Sequence, residues 1–150
     1  MSADAIWRGF QAAVVHVDLP GGPRRLEPRA PGTVGDFPFR GSVVHIITPY
    51  NPDGVLASNA TNEQNHGTMA AELPDDLLSF ATVGSAPDGS WPEPGFGIVG
   101  LTRDEAIVLG RRFGQRAIYE WTAESLTIVG VDEPSSSPTG WALIDVPAAT

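Results

Sequence analysis

The sequence predicts an α+β fold in which two helices pack on one mainly antiparallel sheet. Short β-branched runs bounded by Pro and Gly are typical of strands, and two segments that begin with a capping-box pattern are typical of helices. In chain order these segments run ββαββαββ, and the middle six have the βαββαβ order of a ferredoxin-like core. Because local patterns do not determine the order of strands in a sheet, another α/β sandwich remains the alternative.

The predicted elements account for most of the chain up to residue 131. They are strands at residues 11–19, 42–48, 80–85, 95–101, 117–121 and 126–131 and helices at residues 58–73 and 102–114. The run SVVHIIT at 42–48 is the most apolar strand, so we expect it at the centre of the sheet. Thr102 and Glu105 form a capping box at the start of the second helix. Residues 20–41 are rich in Pro, Gly and Arg and predict a long loop that is either mobile or functional.

We predict a single α+β domain over residues 1–131, followed by an acidic, Ser/Pro-rich C-terminal tail over residues 132–150. A length of 150 residues is typical of one domain. The tail contains one apolar patch, Trp141–Ile144, which is either an edge strand or a docking segment. A third hypothesis is that this patch docks onto a partner or onto a second copy of the chain, which would make the protein self-associate through its tail.

The composition excludes several kinds of function. The chain has no cysteine, and its nine basic residues are all arginine, so thiolate zinc sites, cysteine nucleophiles and Schiff-base lysines are excluded. A net charge of −9 disfavours nucleic acids and membrane surfaces, since both attract clustered cations. No apolar run approaches the ~20 residues that span a bilayer, and Met1–Ala5 lacks the features of a signal peptide. We therefore predict a cytoplasmic protein.

The motif Gly95–Gly100 has the spacing G-x-G-x-x-G of a dinucleotide site. That site needs a strand before the glycines and a helix that opens within them. Here the glycines straddle the predicted strand, and Asp104 and Glu105 would repel a pyrophosphate from the first turn of the following helix. The glycines are better explained by tight packing, and we predict no cofactor.

Two histidines occur in similar strings, VVHV around His16 and VVHI around His45. If their strands pair, the two imidazoles would be neighbours and, with Asp18, would form a sparse metal site. A strand histidine at the edge of a core is the commoner case, so we predict no bound metal.

Polar side chains leave the end of the predicted central strand and continue onto the first helix. Thr48, Tyr50 and Asn51 follow the strand, and Asn62 lies on the first helical turns beyond. Ligand sites favour such strand ends, where amides and hydroxyls can bind a small polar molecule. The alternative is structural: Asn51 makes an Asx turn, and Asn62 ties that turn to the helix.

Two further segments supply candidate site residues. Trp91 and Glu93 belong to the rigid string WPEP, in which Glu93 would serve as a general acid or base; the alternative is a tryptophan packed over a hairpin end. Arg112 and Gln115 lie at the end of the second helix, where they would receive an acidic group or phosphate. The alternative there is a solvated helix end.

The chain resembles the bacterial domain-of-unknown-function family 3293 over residues 45–121, about half of its length. The matching pieces are Ile47–Pro52, Ser58, Asn62, Leu73, Trp91–Pro94, Phe96–Gly100, Ala106, Leu109–Gln115 and Ala117–Tyr119. Because that family is uncharacterised, the resemblance implies a bacterial cytoplasmic domain and implies no activity.

We therefore predict a non-catalytic binding or regulatory domain that recognises a small polar molecule or a protein partner. The expected contact face carries Thr48, Asn51, Asn62, Trp91 and Glu93. The alternative is a small enzyme acting on a phosphorylated or nucleotide-like substrate. Glu93 would be the acid or base, and an arginine from the 20–41 loop or from the second helix would hold the phosphate.

Overall fold

The structure is a computed structural model that describes residues 3–133 and 135–146, with side chains described from residue 7 onward. Its helices are α1 (Ala3–Ala12), α2 (Asn59–Glu72) and α3 (Arg103–Arg112), and a short 3-10 turn covers Pro52–Gly54. Its strands are β1 (Val14–Leu19), β2 (Gly22–Arg29), β3 (Val44–Ile47), β4 (Ser79–Ser85), β5 (Glu93–Val99), β6 (Ala117–Trp121), β7 (Leu126–Gly130) and β8 (Ser136–Asp145).

The strands of the described residues form a closed barrel in the order β1-β2-β8-β7-β6-β3-β5-β4, with β4 pairing back to β1. Every neighbouring pair is antiparallel. The predicted two-helix, ferredoxin-like sandwich is therefore wrong. An open sheet leaves two edge strands, whereas closure pairs both sides of every strand.

Closure depends on β2, which the sequence does not predict, and on β8, of which the sequence suggests only Trp141–Ile144 as an edge strand. β2 lies inside the predicted loop 20–41, and β8 lies inside the predicted C-terminal tail. β8 pairs with β7 through its first residues and with β2 through the remainder, where Pro28 lies opposite Trp141. Trp141 is fully buried and Leu143 packs against the same interior cluster, whereas Ala142 and Ile144 are partly exposed, so self-association through this segment stays a prediction.

Aromatic side chains fill the barrel interior. Phe37, from the segment between β2 and β3, packs edge-on to Trp121 with ring centroids 5.1 Å apart. Phe39, from the same segment, stacks on Phe80 at 5.7 Å. The predicted long loop therefore contains a strand. It also contributes two phenylalanines that help to fill the barrel interior.

The N-terminal helix α1 also contributes to the interior. Trp7 and Phe10 pack against the interior cluster, and the Tyr119 hydroxyl donates a hydrogen bond of 2.8 Å to the Phe10 carbonyl oxygen. None of the helices in the described part of the chain combines the length and the apolar character needed to cross a membrane.

The helices α2 and α3 pack on the outer face of the barrel. They enclose a second hydrophobic cluster, to which α2 contributes Met69 and α3 contributes Ala106. The outward side chains Ile47 and Ile98 of β3 and β5 complete this cluster. The strand ends between these two helices carry the candidate site.

Candidate functional site

Six of the eight predicted site residues make hydrogen bonds around the mouth of the barrel where β3 ends and β5 begins, whereas Trp91 and Arg112 do not join them. Asn51 follows β3, and its side-chain amide donates a hydrogen bond of 2.8 Å to the Glu93 carboxylate at the start of β5. Two loops that are far apart in sequence are thereby fixed side by side. We call the loops 48–58 and 86–92, together with Glu93, the rim.

Asn51 adopts the left-handed backbone conformation with φ of 51°. Its backbone N–H donates to the Asn62 side-chain oxygen at 2.9 Å, and the Asn62 amide donates back to the Asn51 side-chain oxygen at 3.0 Å. That oxygen also accepts from the backbone N–H of Ala57 at 3.0 Å. Asparagine tolerates this conformation because its short polar side chain makes local hydrogen bonds. These hydrogen bonds tie the turn at Asn51 to the start of α2, which is the structural role that the sequence offers as the alternative to ligand binding.

Thr48, Tyr50 and Gln115 hold the first rim loop against its neighbours. The Thr48 hydroxyl donates to the Pro94 carbonyl at 2.7 Å and accepts from the Tyr50 backbone N–H at 3.1 Å. The Gln115 amide, which follows α3, donates to the Tyr50 carbonyl at 3.0 Å. These polar groups bond to backbone atoms, so their first role is to fix the shape of the rim.

Glu93 is partly buried at the barrel mouth. It lies on the same side of β5 as Gly97 and Val99, which face the interior. Burial raises the pKa of the Glu93 carboxyl, and the hydrogen bond from Asn51 offsets part of that rise. Burial also raises the pKa of Tyr119, and the negative charge of Glu93 raises it further. The carboxyl therefore lies in a low-dielectric position.

Trp91 does not join this polar network. It has a φ of 56°, unusual for a residue other than glycine, and its side chain is 69% exposed. Val55 and Leu56, on the first rim loop, are similarly exposed at 65% and 68%. The rim thus combines a rigid polar base with protruding apolar side chains.

Arg112 does not reach the Glu93 carboxylate. Its guanidinium donates a hydrogen bond of 3.0 Å to Glu72 at the end of α2, and it lies over the Phe113 ring. Arg111 likewise pairs with Asp132. Both arginines are thus bound to carboxylates on the outer face of the barrel.

A hydrogen-bonded group of ionisable side chains that the sequence does not predict lies on the outer face of β3 and β6. His45 is opposite Glu120 in the strand pairing, and its Nε2 is 2.9 Å from the Glu120 carboxylate. Arg103 donates two hydrogen bonds to the same carboxylate. Burial lowers the pKa of His45, and the Arg103 hydrogen bond lowers the pKa of Glu120. This group could not be found without the β3–β6 register.

The two histidines considered as metal ligands lie apart in the barrel order. His16 is on β1 and His45 is on β3, and β4 and β5 lie between these strands. No cluster of three or more His, Asp or Glu side chains suited to a metal ion occurs within residues 3–133 and 135–146.

The G-x-G-x-x-G glycines belong to β5 and to the turn after it. α3 begins only after Thr102, whose backbone N–H donates to the Glu105 carboxylate at 3.0 Å. The Thr102 hydroxyl accepts from the Glu105 backbone N–H at 3.1 Å, so the predicted capping box is confirmed. The first helical turn is thus already capped by an anionic side chain.

The fold and the rim define a closed antiparallel barrel with a hydrogen-bonded polar mouth beside exposed apolar side chains. Residues 47–118 match the model of the family described as "Protein of unknown function (DUF3293)", so the resemblance is confirmed over this segment. All the predicted site residues lie within it. No significant match was found among curated proteins or among solved structures.

Proposed function

We propose that this protein is a non-catalytic binding module whose contact surface is the rim, and that it recognises a small polar molecule or a protein partner there. The observation that carries the proposal is the Asn51–Glu93 hydrogen bond. It joins two loops of different origin while Trp91 and Leu56 remain exposed beside it.

Preorganisation supports binding at the rim. The hydrogen bonds of Asn51, Asn62 and Gln115 fix the first rim loop before any ligand arrives, which reduces the entropy lost on binding. Trp91 holds a costly backbone conformation and yet buries little of its ring. Such local strain is commonest at functional sites, and tryptophan is enriched among the residues that dominate binding energy.

One observation favours the alternative of a small enzyme acting on a phosphorylated or nucleotide-like substrate. Burial raises the pKa of Glu93, as expected of a carboxyl that serves as a general acid or base. That mechanism also needs an arginine for the phosphate. Arg111 and Arg112 of the second helix pair with carboxylates, and so do Arg24, Arg25 and Arg29 of the predicted loop. The geometry therefore supports binding better than catalysis.

The test is a ligand screen observed by NMR of the backbone and indole N–H groups. We expect ligands that shift the Trp91 indole signal and the Asn51 amide signals together. Trp91→Ser should weaken their binding at least tenfold, because the exposed ring is the largest apolar contact on the rim. Val108→Ser is the matched control, since Val108 is equally exposed on α3, outside the rim.

Ligands that bind Trp91→Ser and the wild type equally would contradict the proposal, and so would ligands that shift only residues outside the rim. The enzyme alternative has a different signature. Glu93→Gln would abolish turnover of a phosphorylated compound without lowering the melting temperature.

A further inference from the structure

We propose that the Glu93 carboxylate receives a positively charged nitrogen group, an ammonium or a guanidinium, carried by the ligand of the rim. This inference rests on the proposed function and specifies the chemical class of its ligand. The supporting observations are that no described side chain supplies a cationic partner for Glu93, that open space lies beside it, and that exposed apolar side chains lie next to it.

Glu93 differs from the other carboxylates of the barrel in its partners. Among the described residues, three acidic residues are partly buried: Glu27, Glu93 and Glu120. Glu27 is bracketed by Arg25 and Arg29.

Glu120 binds both Arg103 and His45. Glu93 has only the neutral amide of Asn51, and no described basic side chain pairs with it. A partly buried carboxylate is stabilised by an opposite charge. Basic side chains provide this opposite charge for Glu27 and for Glu120, but no described basic side chain provides it for Glu93.

The structure leaves room for a ligand next to this carboxylate. Gly84 of β4 lies directly opposite Glu93 in the strand pairing. A side-chain carbon added at Gly84 would meet no atom within 4 Å, so the space over Gly84, beside Glu93, is open. The Asn51 amide contacts one carboxylate oxygen, Oε2, and the other oxygen accepts no hydrogen bond from the described residues.

The surroundings favour a cation that carries an apolar stem. Trp91 is two residues from Glu93 and exposes a ring whose face attracts cations and whose area suits an alkyl chain. The net charge of −9 raises the local concentration of cations around the molecule. A small organic amine and a lysine or arginine side chain of a partner protein share this chemistry.

The experiment is an NMR titration of the full chain with probes of matched shape. The cationic probes are n-butylammonium, n-butylguanidinium and the blocked peptide Gly-Lys-Gly, and the neutral and anionic controls are n-butanol and butyrate. We expect the cationic probes to give saturable shifts at the Asn51 amide and the Trp91 indole. Glu93→Gln should weaken them at least tenfold, whereas Glu63→Gln, which removes the same charge from an exposed position on α2, should not.

A second measurement uses only the wild-type protein. Saturation with the cationic probe should lower the pKa at which the Glu93 carboxyl carbon titrates, because a bound cation stabilises the charged form. Binding of the free amine identifies a small-molecule ligand class, and binding of the lysine peptide alone identifies a protein partner. Either result supports the inference.

The opposing results separate the inference from the proposed function. Neutral or anionic probes that bind the rim as well as the cations do would overturn the inference and leave the binding module standing. Equal cation binding by Glu93→Gln and the wild type would also overturn it. If no probe shifts any rim signal, the inference fails, and the wider ligand screen alone decides the proposed function.

Discussion

Asn51 connects more parts of the rim than any other residue described here. Its side-chain oxygen accepts from Ala57 and Asn62, and its side-chain nitrogen donates to Glu93. A side-chain amide carries an acceptor oxygen and a donor nitrogen on the same carbon. This explains why a non-glycine residue in the left-handed conformation is retained at the point where two loops meet.

Reversing the donor and the acceptor in this contact tests its importance. Asn51→Asp keeps the shape of the side chain but places a carboxylate against Glu93, so we expect it to lower the free energy of unfolding at pH 7 by about 1–3 kcal/mol. Adding Glu93→Gln should recover most of the loss, because the new amide can donate to the aspartate. Chemical denaturation of the two single variants and the double variant measures the coupling. If the effects of the two single substitutions on unfolding free energy simply add in the double variant, the Asn51–Glu93 hydrogen bond does not couple the two residues.

The raised pKa of Glu93 predicts the pH dependence of stability. The folded state binds the Glu93 proton more tightly than the unfolded state, so the stabilisation is complete below the unfolded pKa of about 4.5 and is lost as the pH rises through the folded pKa. Glu93→Gln resembles the protonated form and does not titrate. We expect it to be more stable than the wild type at pH 7 and nearly equal to it below pH 4, as measured by urea denaturation. A difference that is the same at both pH values would show that burial does not disfavour the charged carboxylate.

At the scale of the elements, the sequence predicts structure best where the signal is local. The capping box of Thr102 and Glu105 starts α3 as expected, and α2 lies within the predicted residues 58–73. β2 is missed because GPRRLEPR has one buried apolar residue, Leu26, whose partner Val15 is defined only by the strand pairing. Pro, Gly and Arg indicate a loop unless the neighbouring strand is known.

Two helical glycines provide a matched test of how closely the helices α2 and α3 approach the barrel. Gly67 of α2 has open space around the position of a β-carbon, so Gly67→Ala should stabilise the protein by about 0.5–1 kcal/mol through helix propensity. A β-carbon at Gly110 of α3 would lie 2.9 Å from Cγ2 of Ile118 in β6. Gly110→Ala should therefore destabilise the protein. Overpacking costs about 1–3 kcal/mol, and the higher helix propensity of alanine offsets part of that cost. Thermal unfolding measures both, and a shift of the same sign would contradict the close approach of α3 to the barrel.

At the scale of the whole molecule, the polar cluster of the site could be predicted and the barrel could not. Thr48, Asn51 and Asn62 are close in sequence, so strand-end reasoning brings them together. Glu93 joins them through the β3–β5 pairing, which the predicted βαββαβ order does not specify. Barrel closure depends on β8 meeting both β2 and β7, and no local pattern encodes such a contact.

Because β8 closes the barrel, substitution of its residue Trp141 tests the architecture. If the C-terminal segment were a docking tail, Trp141→Ala would change self-association and leave the unfolding of the chain unaltered. In the barrel the indole is fully buried, packs 5.3 Å from the Trp121 ring and donates a hydrogen bond to the Thr122 carbonyl oxygen.

We therefore expect Trp141→Ala to cost about 3–5 kcal/mol of unfolding free energy. Asp145→Asn, at an exposed position of the same strand, is the control and should change the unfolding free energy by less than about 0.5 kcal/mol. Because a loss of that size is comparable with the whole stability of many domains, the unfolding transition of Trp141→Ala should move to much lower denaturant concentration. A transition that stays in place, accompanied by a change in elution volume, would instead favour the docking tail.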